Sequence, residues 1–138
     1  MTVHDCRIIG FPRISDPRGS LSVIENRDLV PFDIERVFYI YDLPERTNRG
    51  GHAHRTCEEV IIPVAGEFKV EVDDGRERRT HTLSNPSEGL YIPARTWLEL
   101  QDLSPGCVCL VLASIPHDPA DYYRDYAEYV ADMRQAGG

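Results

Sequence analysis

The chain has 138 residues, 41% hydrophobic and 28% charged, with a formal net charge of −8. This is one domain's worth of sequence with enough apolar content for a core, which argues against global disorder, and the acidic balance argues against general affinity for nucleic acid. No apolar run reaches the roughly 18 to 20 residues that span a bilayer, so no membrane partner is expected, and Met1 to Asp5 lack the basic and apolar regions of a signal peptide, so a cytoplasmic location is expected.

In chain order, Val3 to Ile14 reads as a first extended segment broken by Pro12. Asp16-Pro17-Arg18-Gly19 is a turn, because proline sets φ and glycine tolerates its positive values. Leu21 to Glu25 is a short strand, and the aromatic and β-branched run Arg36 to Tyr41 is a second, ending at Asp42-Leu43-Pro44. Glu59 to Val64 is apolar on both faces, with Pro63 marking an edge or a bulge. Ala65-Gly66-Glu67 turns into Phe68 to Val72, whose alternation is that of a half-buried strand, and Asp73-Asp74-Gly75 returns the chain through Arg76 to Leu83. Gly89 to Pro93, Trp97 to Leu100 and Val108 to Ser114 follow.

Regularly spaced short strands with turn signals predict an all-β barrel or sandwich over about residues 3 to 114, within a single domain spanning 1–138. The tail differs. Tyr122, Tyr126, Tyr129, Val130 and Met133 recur at helical spacing, Asp118 suits an N-cap, Pro119 a first helical position and Gly137 a stop, so one α-helix is predicted over about 119 to 135. The four cysteines make no Cys-x-x-Cys pair and are expected to be buried thiols. Lys69 is the one lysine among fifteen basic residues, the rest being arginine, the better bidentate partner for phosphate.

The chemistry centres on Arg49-Gly50-Gly51-His52-Ala53-His54, followed by Glu58 and Glu59. In an extended strand residues i and i+2 share a face, so both imidazoles point into one space. Imidazole titrates nearest neutrality, so the pair makes either a metal site with a carboxylate or an acid/base pair. The spacing His52-x-His54, then Glu58 or Glu59, then Gly66 resembles the first motif of the cupins, whose metal-binding members use the two histidines and the glutamate as ligands. Their second motif ends in a further histidine, and the corresponding stretch here, Gly89 followed by Pro93 to Leu98, puts Leu98 at that position. Leucine cannot bind a cation. His52, His54 and one glutamate remain, and three protein ligands with water is itself a known zinc or non-haem iron arrangement, but without the fourth cupin ligand the favoured expectation is no metal and no cofactor.

A closer resemblance runs along nearly the whole chain: Asp16-x-Arg18-Gly19-Ser20-Leu21, Pro31-Phe32-x-Ile34-x-Arg36-Val37-x-Tyr39-Ile40, Arg49-Gly50-x-His52-Ala53-His54, Val72-Asp73-Asp74-Gly75, Gly89-Leu90-Tyr91, Trp97 with Glu99, Val111-Leu112-Ala113-Ser114 and Asp121-Tyr122-x-Arg124-x-Tyr126. In these stretches the sequence resembles the nucleotide-linked sugar 3,4-ketoisomerases, the WxcM-like branch of the cupins. The resemblance implies a cupin-type antiparallel β-barrel (jelly roll) with one C-terminal α-helix. It also implies a homodimer, and isomerisation of a dTDP-4-keto-6-deoxyhexose to its 3-keto isomer without a required metal. His52 and His54 are implied to be catalytic. Tyr39 is a candidate hydrogen-bond partner of the sugar; Arg18, Arg36 and Arg49 are candidate ligands of the pyrophosphate; Trp97 could stack on the base or pack in the barrel. Which histidine takes the C3 proton stays open, with a lean toward His52. Family members commonly carry Trp-His-Glu where this chain has Trp97-Leu98-Glu99. A metal-dependent cupin, a non-catalytic sugar-nucleotide module and a 3,5-epimerase on the same substrate class are the alternatives.

Overall fold

The computed structural model describes residues 1–136, so Gly137, the expected stop signal, lies outside the described residues. A short 3-10 turn, Val3–Asp5, precedes β1 (Arg7–Gly10), β2 (Arg13–Asp16), β3 (Gly19–Ser22), β4 (Arg36–Ile40), β5 (Thr47–His54) and β6 (Glu59–Ala65). They are followed by β7 (Phe68–Asp73), β8 (Arg78–Leu83), β9 (Glu88–Ile92), β10 (Trp97–Leu103) and β11 (Val108–Ala113). After a second 3-10 turn, Pro119–Asp121, come β12 (Tyr122–Tyr123) and α1 (Tyr126–Ala136).

Two five-stranded antiparallel sheets face each other, in the orders β1-β9-β6-β11-β4 and β12-β5-β10-β7-β8, while β2 and β3 pair only with one another as a separate hairpin. This is the all-β architecture expected from the strand spacing, with the one C-terminal helix expected from the tail, and it is of the cupin type that the resemblance implied. The central core lies between the sheets, where Ile61, Phe68, Val70, Val72, Leu90, Leu98, Leu100 and Val111 meet. Strand β6 is apolar on both faces because both are covered. Ile61 turns into the central core, while Val60 and Ile62 pack outward against Val30 and Phe32 from the segment before β4. Pro63 sits in this central strand beside a register shift, pairing with Cys109 where Ala65 pairs with Val108, so the bulge and not the edge explains it. Gly66 supplies the turn to β7 at φ +74°, and a Cβ there would lie 2.6 Å from the Cβ of Cys107.

All four cysteines are free and buried. Burial is the main cause that pushes the Cys6 and Cys109 thiols up to about 12, so they behave as small apolar groups.

The tail departs from the expected helix over 119 to 135. Asp118 does act as an N-cap, its side chain accepting from the Ala120 N–H, but the element it caps is the 3-10 turn with Pro119 at its start. Tyr122 and Tyr123 then run extended and pair with His54 and Ala53 of β5, and the α-helix begins only at Tyr126. Tertiary pairing overrides local propensity here, because the free edge of β5 takes the strand's backbone bonds and the Asp121 carboxylate is held from below. The helix lies on the outer face of the second sheet, where Tyr129 and Met133 pack with Ala53, Tyr123 and Trp97. No described helix is long and apolar enough to cross a membrane.

Candidate active site

The strand carrying the two histidines contains a bulge at its centre. Leu98 of β10 pairs with His52, but the next residue, Glu99, pairs with Gly50, so Gly51 is the extra residue. Gly50 and Gly51 have φ values of +106° and +82°, and a Cβ on Gly50 would crowd the β10 backbone at 3.2 Å. Only glycine meets both demands. The consequence is a change of parity. In a regular strand Arg49 and His52 would point to opposite faces, whereas here both line the same cavity.

That cavity measures about 420 Å³ and opens between the two sheets at one end of the core. Its floor is apolar, formed by Ile61, Leu98, Leu100 and Val111. Polar groups converge on it from four elements: Tyr39 on β4, Arg49 and His52 on β5, Glu59 on β6, and Tyr122 of β12 with the following Arg124. A largely apolar cavity with a few convergent polar groups is the usual form of a small-molecule site.

The two imidazoles lie with ring centroids 5.1 Å apart and nearly perpendicular, as their shared face predicts. The Tyr122 ring sits against both, 5.2 Å from His52 and 4.5 Å from His54. Their surroundings differ. His52 faces the cavity; burial lowers its pKa below the usual imidazole value, and the positive charges of His54 and Arg124 act the same way against the opposing pull of Glu59. His54 is 4% exposed and does not line the cavity. Its Nδ1 stands 3.0 Å from Asp121 Oδ2 and its Nε2 3.6 Å from Glu59 Oε2. Burial alone would lower the pKa of His54, but the two carboxylates outweigh it and raise the value. One strand therefore presents two imidazoles whose pKa values are pushed in opposite directions, an arrangement suited to dividing base and acid work.

Of the two glutamates after the histidines, Glu59 is the one in the site, while Glu58 faces the other way and accepts a 2.6 Å hydrogen bond from the Tyr91 hydroxyl. His52, His54 and Glu59 each place a possible ligand atom within 4.8 Å of the others. As a cupin metal centre the set is incomplete: the fourth position is the buried, apolar Leu98, and His54 and Glu59 are turned toward each other.

Trp97 lies outside the cavity. Alternation along β10 sends Leu98 into the cavity and Trp97 to the outer face, where it packs edge-on against Tyr126 at 5.2 Å and near Tyr129 at 5.5 Å. It lines a separate hollow with Gly51, Arg78, Glu99 and Tyr126 on that face. Arg18 is also not brought to the cavity; it stands exposed at the tip of the β2–β3 hairpin, paired with Asp16 at 2.7 Å. Arg36 lies over the Phe38 ring at 5.2 Å and lines a shallow hollow with Phe38, His117 and Tyr122, next to the main cavity. Its Nε is buried without a hydrogen-bond partner among the described residues. Tyr39 is at the cavity mouth, 58% exposed. Sequence reasoning missed Glu59 as distinct from Glu58, together with Asp121, Tyr122 and Arg124. The last three sit in the quoted stretch Asp121-Tyr122-x-Arg124-x-Tyr126, which offered the signal, but a helical reading of the tail hid their position.

The profile of the family described as FdtA: WxcM-like, C-terminal, matches residues 4–134. A curated relative, TDP-4-oxo-6-deoxy-alpha-D-glucose-3,4-oxoisomerase of Aneurinibacillus thermoaerophilus, is 42% identical over 123 residues, covering 89% of this chain and 88% of that protein. Among solved structures, the sugar 3,4-ketoisomerase QdtA of Thermoanaerobacterium thermosaccharolyticum, in complex with TDP, superposes with a TM-score of 0.93 at 36% identity, covering 97% of this chain and 98% of that one. A 3,4-ketoisomerase of Helicobacter canadensis gives a TM-score of 0.90 at 38% identity, covering 94% and 98%.

Proposed function

Since the chain belongs to the FdtA, WxcM-like C-terminal family, we propose that it is a TDP-sugar 3,4-ketoisomerase, moving the carbonyl of a dTDP-4-keto-6-deoxyhexose from C4 to C3. The observation that carries the reading is the pair of imidazoles with opposed pKa shifts at one cavity, in a fold whose relatives include a ketoisomerase crystallised with TDP and a histidine-to-asparagine variant of it crystallised with TDP-4-keto-6-deoxyglucose. The epimerase and binding-module readings have no comparable support.

The hydrogen on C3 is α to the C4 carbonyl, so its removal gives an enediol. His52, which faces the cavity with a lowered pKa, takes that proton, exchanges it with solvent and delivers a proton to C4. The oxygen side needs a proton delivered to O4 and one removed from O3. His54, buried behind the cavity wall with a raised pKa, supplies this exchange through Glu59, which lines the cavity and faces its Nε2 at 3.6 Å. Hydrogen thus moves from C3 to C4 and from O3 to O4, and both groups end as they began. Tyr39 at the mouth donates its hydroxyl to the sugar. Arg49 meets the pyrophosphate, with Arg36 beside the adjoining hollow as a second cation. No metal is needed for these steps, because the proton donors and acceptors are already in place.

Incubation with dTDP-4-keto-6-deoxyglucose in deuterated water, followed by NMR, tests this directly. A 3-keto product with deuterium at C4 is expected, at the same rate with and without chelator. Unchanged sugar would reject the reaction, and loss of activity with chelator, restored by a divalent metal, would reject the metal-free mechanism. The pH profile is a second expected result. Activity needs His52 unprotonated and rises with pH through its lowered pKa; it needs His54 protonated and falls as pH rises through its raised pKa. A bell is expected, with its acid limb below and its alkaline limb above the ordinary histidine value.

The same reading places the enzyme in the cytoplasm as a homodimer of single-domain subunits. Two surfaces support the dimer. Strand β4 is an edge strand with Val37, Tyr39 and the neighbouring Tyr41 more than half exposed, and the β2–β3 hairpin projects Ile14 at 59% and Leu21 at 54% exposure. An apolar edge of this kind is normally covered. Arg18, remote from its own cavity, would meet substrate only from a neighbouring copy. Light scattering is expected to give a dimer for the native protein and a monomer for Ile14→Asp; a monomeric native protein would reject the assembly.

A further inference from the structure

His54 is held more tightly than a proton carrier needs merely to be buried, and the group that holds it is 67 residues away. Asp121 ends the 3-10 turn Pro119–Asp121 and is 6% exposed. Its carboxylate is nearly saturated. Oδ1 accepts from the Thr56 amide at 2.9 Å and the Thr56 hydroxyl at 2.7 Å; Oδ2 accepts from the Cys57 amide at 3.1 Å and faces His54 Nδ1 at 3.0 Å. The Asp121 carbonyl in turn accepts from the Arg55 amide at 2.7 Å. The turn after the second histidine is therefore wrapped around one side chain.

A carboxylate holding three N–H or O–H donors can only accept, so the nitrogen opposite it must carry hydrogen. That fixes Nδ1–H on His54 and leaves Nε2 as the position where a proton comes and goes, facing Glu59. The other groups around the ring are His52 on the same strand, Glu59 on β6 and Tyr122, whose ring centroid is 4.5 Å away and carries the Arg124 guanidinium over it at 4.3 Å. We propose that Asp121 is the positioning residue of the acid/base pair, fixing the Nδ1–H form of His54 and aiming its Nε2 at the Glu59 side of the cavity. The role rests on the ketoisomerase reading for its catalytic meaning, but the hydrogen-bond geometry stands apart from it.

The device also explains the unexpected end of the β-domain. The segment Asp121 to Tyr123 lies along β5 and not in the helix, because the Asp121 carboxylate holds His54, Thr56 and Cys57 while Tyr122 and Tyr123 pair with His54 and Ala53. A helix starting at Pro119 would carry Asp121 away from the His54 ring.

The experiment has two readouts, one independent of turnover. In the native protein labelled with 15N in its histidines, His54 is expected to carry its hydrogen on Nδ1 when neutral, and Asp121→Asn is expected to weaken this preference for one tautomer. With dTDP-4-keto-6-deoxyglucose, Asp121→Asn is expected to lower kcat by about 10²- to 10⁴-fold, the contribution of one positioned acid or base that its carboxylate orients, with KM nearly unchanged. Thr56→Val removes only the hydroxyl bond to Oδ1 and is expected to leave tautomer and kcat close to native. An Nε2–H form in the native protein overturns the proposal, as does native kcat in Asp121→Asn or an equal loss in Thr56→Val. If the native protein does not turn over this sugar while His54 shows the Nδ1–H form, the ketoisomerase reading fails and the positioning contact survives.

Discussion

His52→Asn is expected to lower kcat by about 10²- to 10⁴-fold, the usual contribution of one positioned acid or base, while dTDP binding stays near native. Asparagine preserves much of the shape and one hydrogen bond, but cannot accept and return a carbon-bound proton. Deuterium exchange at C3 should disappear along with product. His54→Asn is expected to give a loss of the same order for a different reason. The cation on the oxygen side is gone, and Glu59 and Asp121, both 6% exposed or less, face each other's charge across an uncharged amide. Some C3 exchange should persist in this variant, since His52 still faces the sugar. NMR of the two variants in deuterated water separates the roles, and native rates in both would reject the acid/base assignment altogether.

Tyr129→Ala is expected to cost about 3–5 kcal/mol of stability, the range for emptying a large aromatic site in a core. Tyr129 is fully buried under α1, and its hydroxyl lies 2.9 Å from the carbonyl of Asp73 and 2.7 Å from that of Arg95, while the Trp97 amide donates to it at 3.3 Å. One side chain thus ties the helix to β7, to β10 and to the loop before β10. Tyr129→Phe keeps the ring and leaves those backbone groups short of a partner, so a smaller loss of about 1–3 kcal/mol is expected. Urea unfolding followed by Trp97 fluorescence would measure both. A native-like midpoint for Tyr129→Ala would mean that the helix contributes little to holding the second sheet.

The histidine pair was legible because period-two alternation needs no knowledge of the partner strands: His52 and His54 share a face wherever β5 lies. Leu98 was legible for the same reason, as the apolar residue at a position where cupin metal centres have a ligand, and it does lie in the cavity opposite His52. Arg49 was singled out by resemblance, yet simple alternation would have placed it on the other face. Its arrival beside His52 depends on the Gly51 bulge, and a bulge is a relation between two strands. Trp97 shows the converse, since one residue of register decides whether it stacks on a ligand or on Tyr126 and Tyr129.

The sequence by itself determined the class of fold, the strand that carries the chemistry and the two imidazoles, since these follow from residue type and from periodicities local to each segment. Only the tertiary structure decided how the two imidazoles differ. Glu59 and Asp121 come from other elements, one five residues and the other 67 residues from His54, and their charges raise its pKa while burial lowers that of His52. A pKa shift depends on distance and burial, which chain spacing does not encode, so a symmetric His-x-His in sequence becomes a base and an acid only when the sheets close around it.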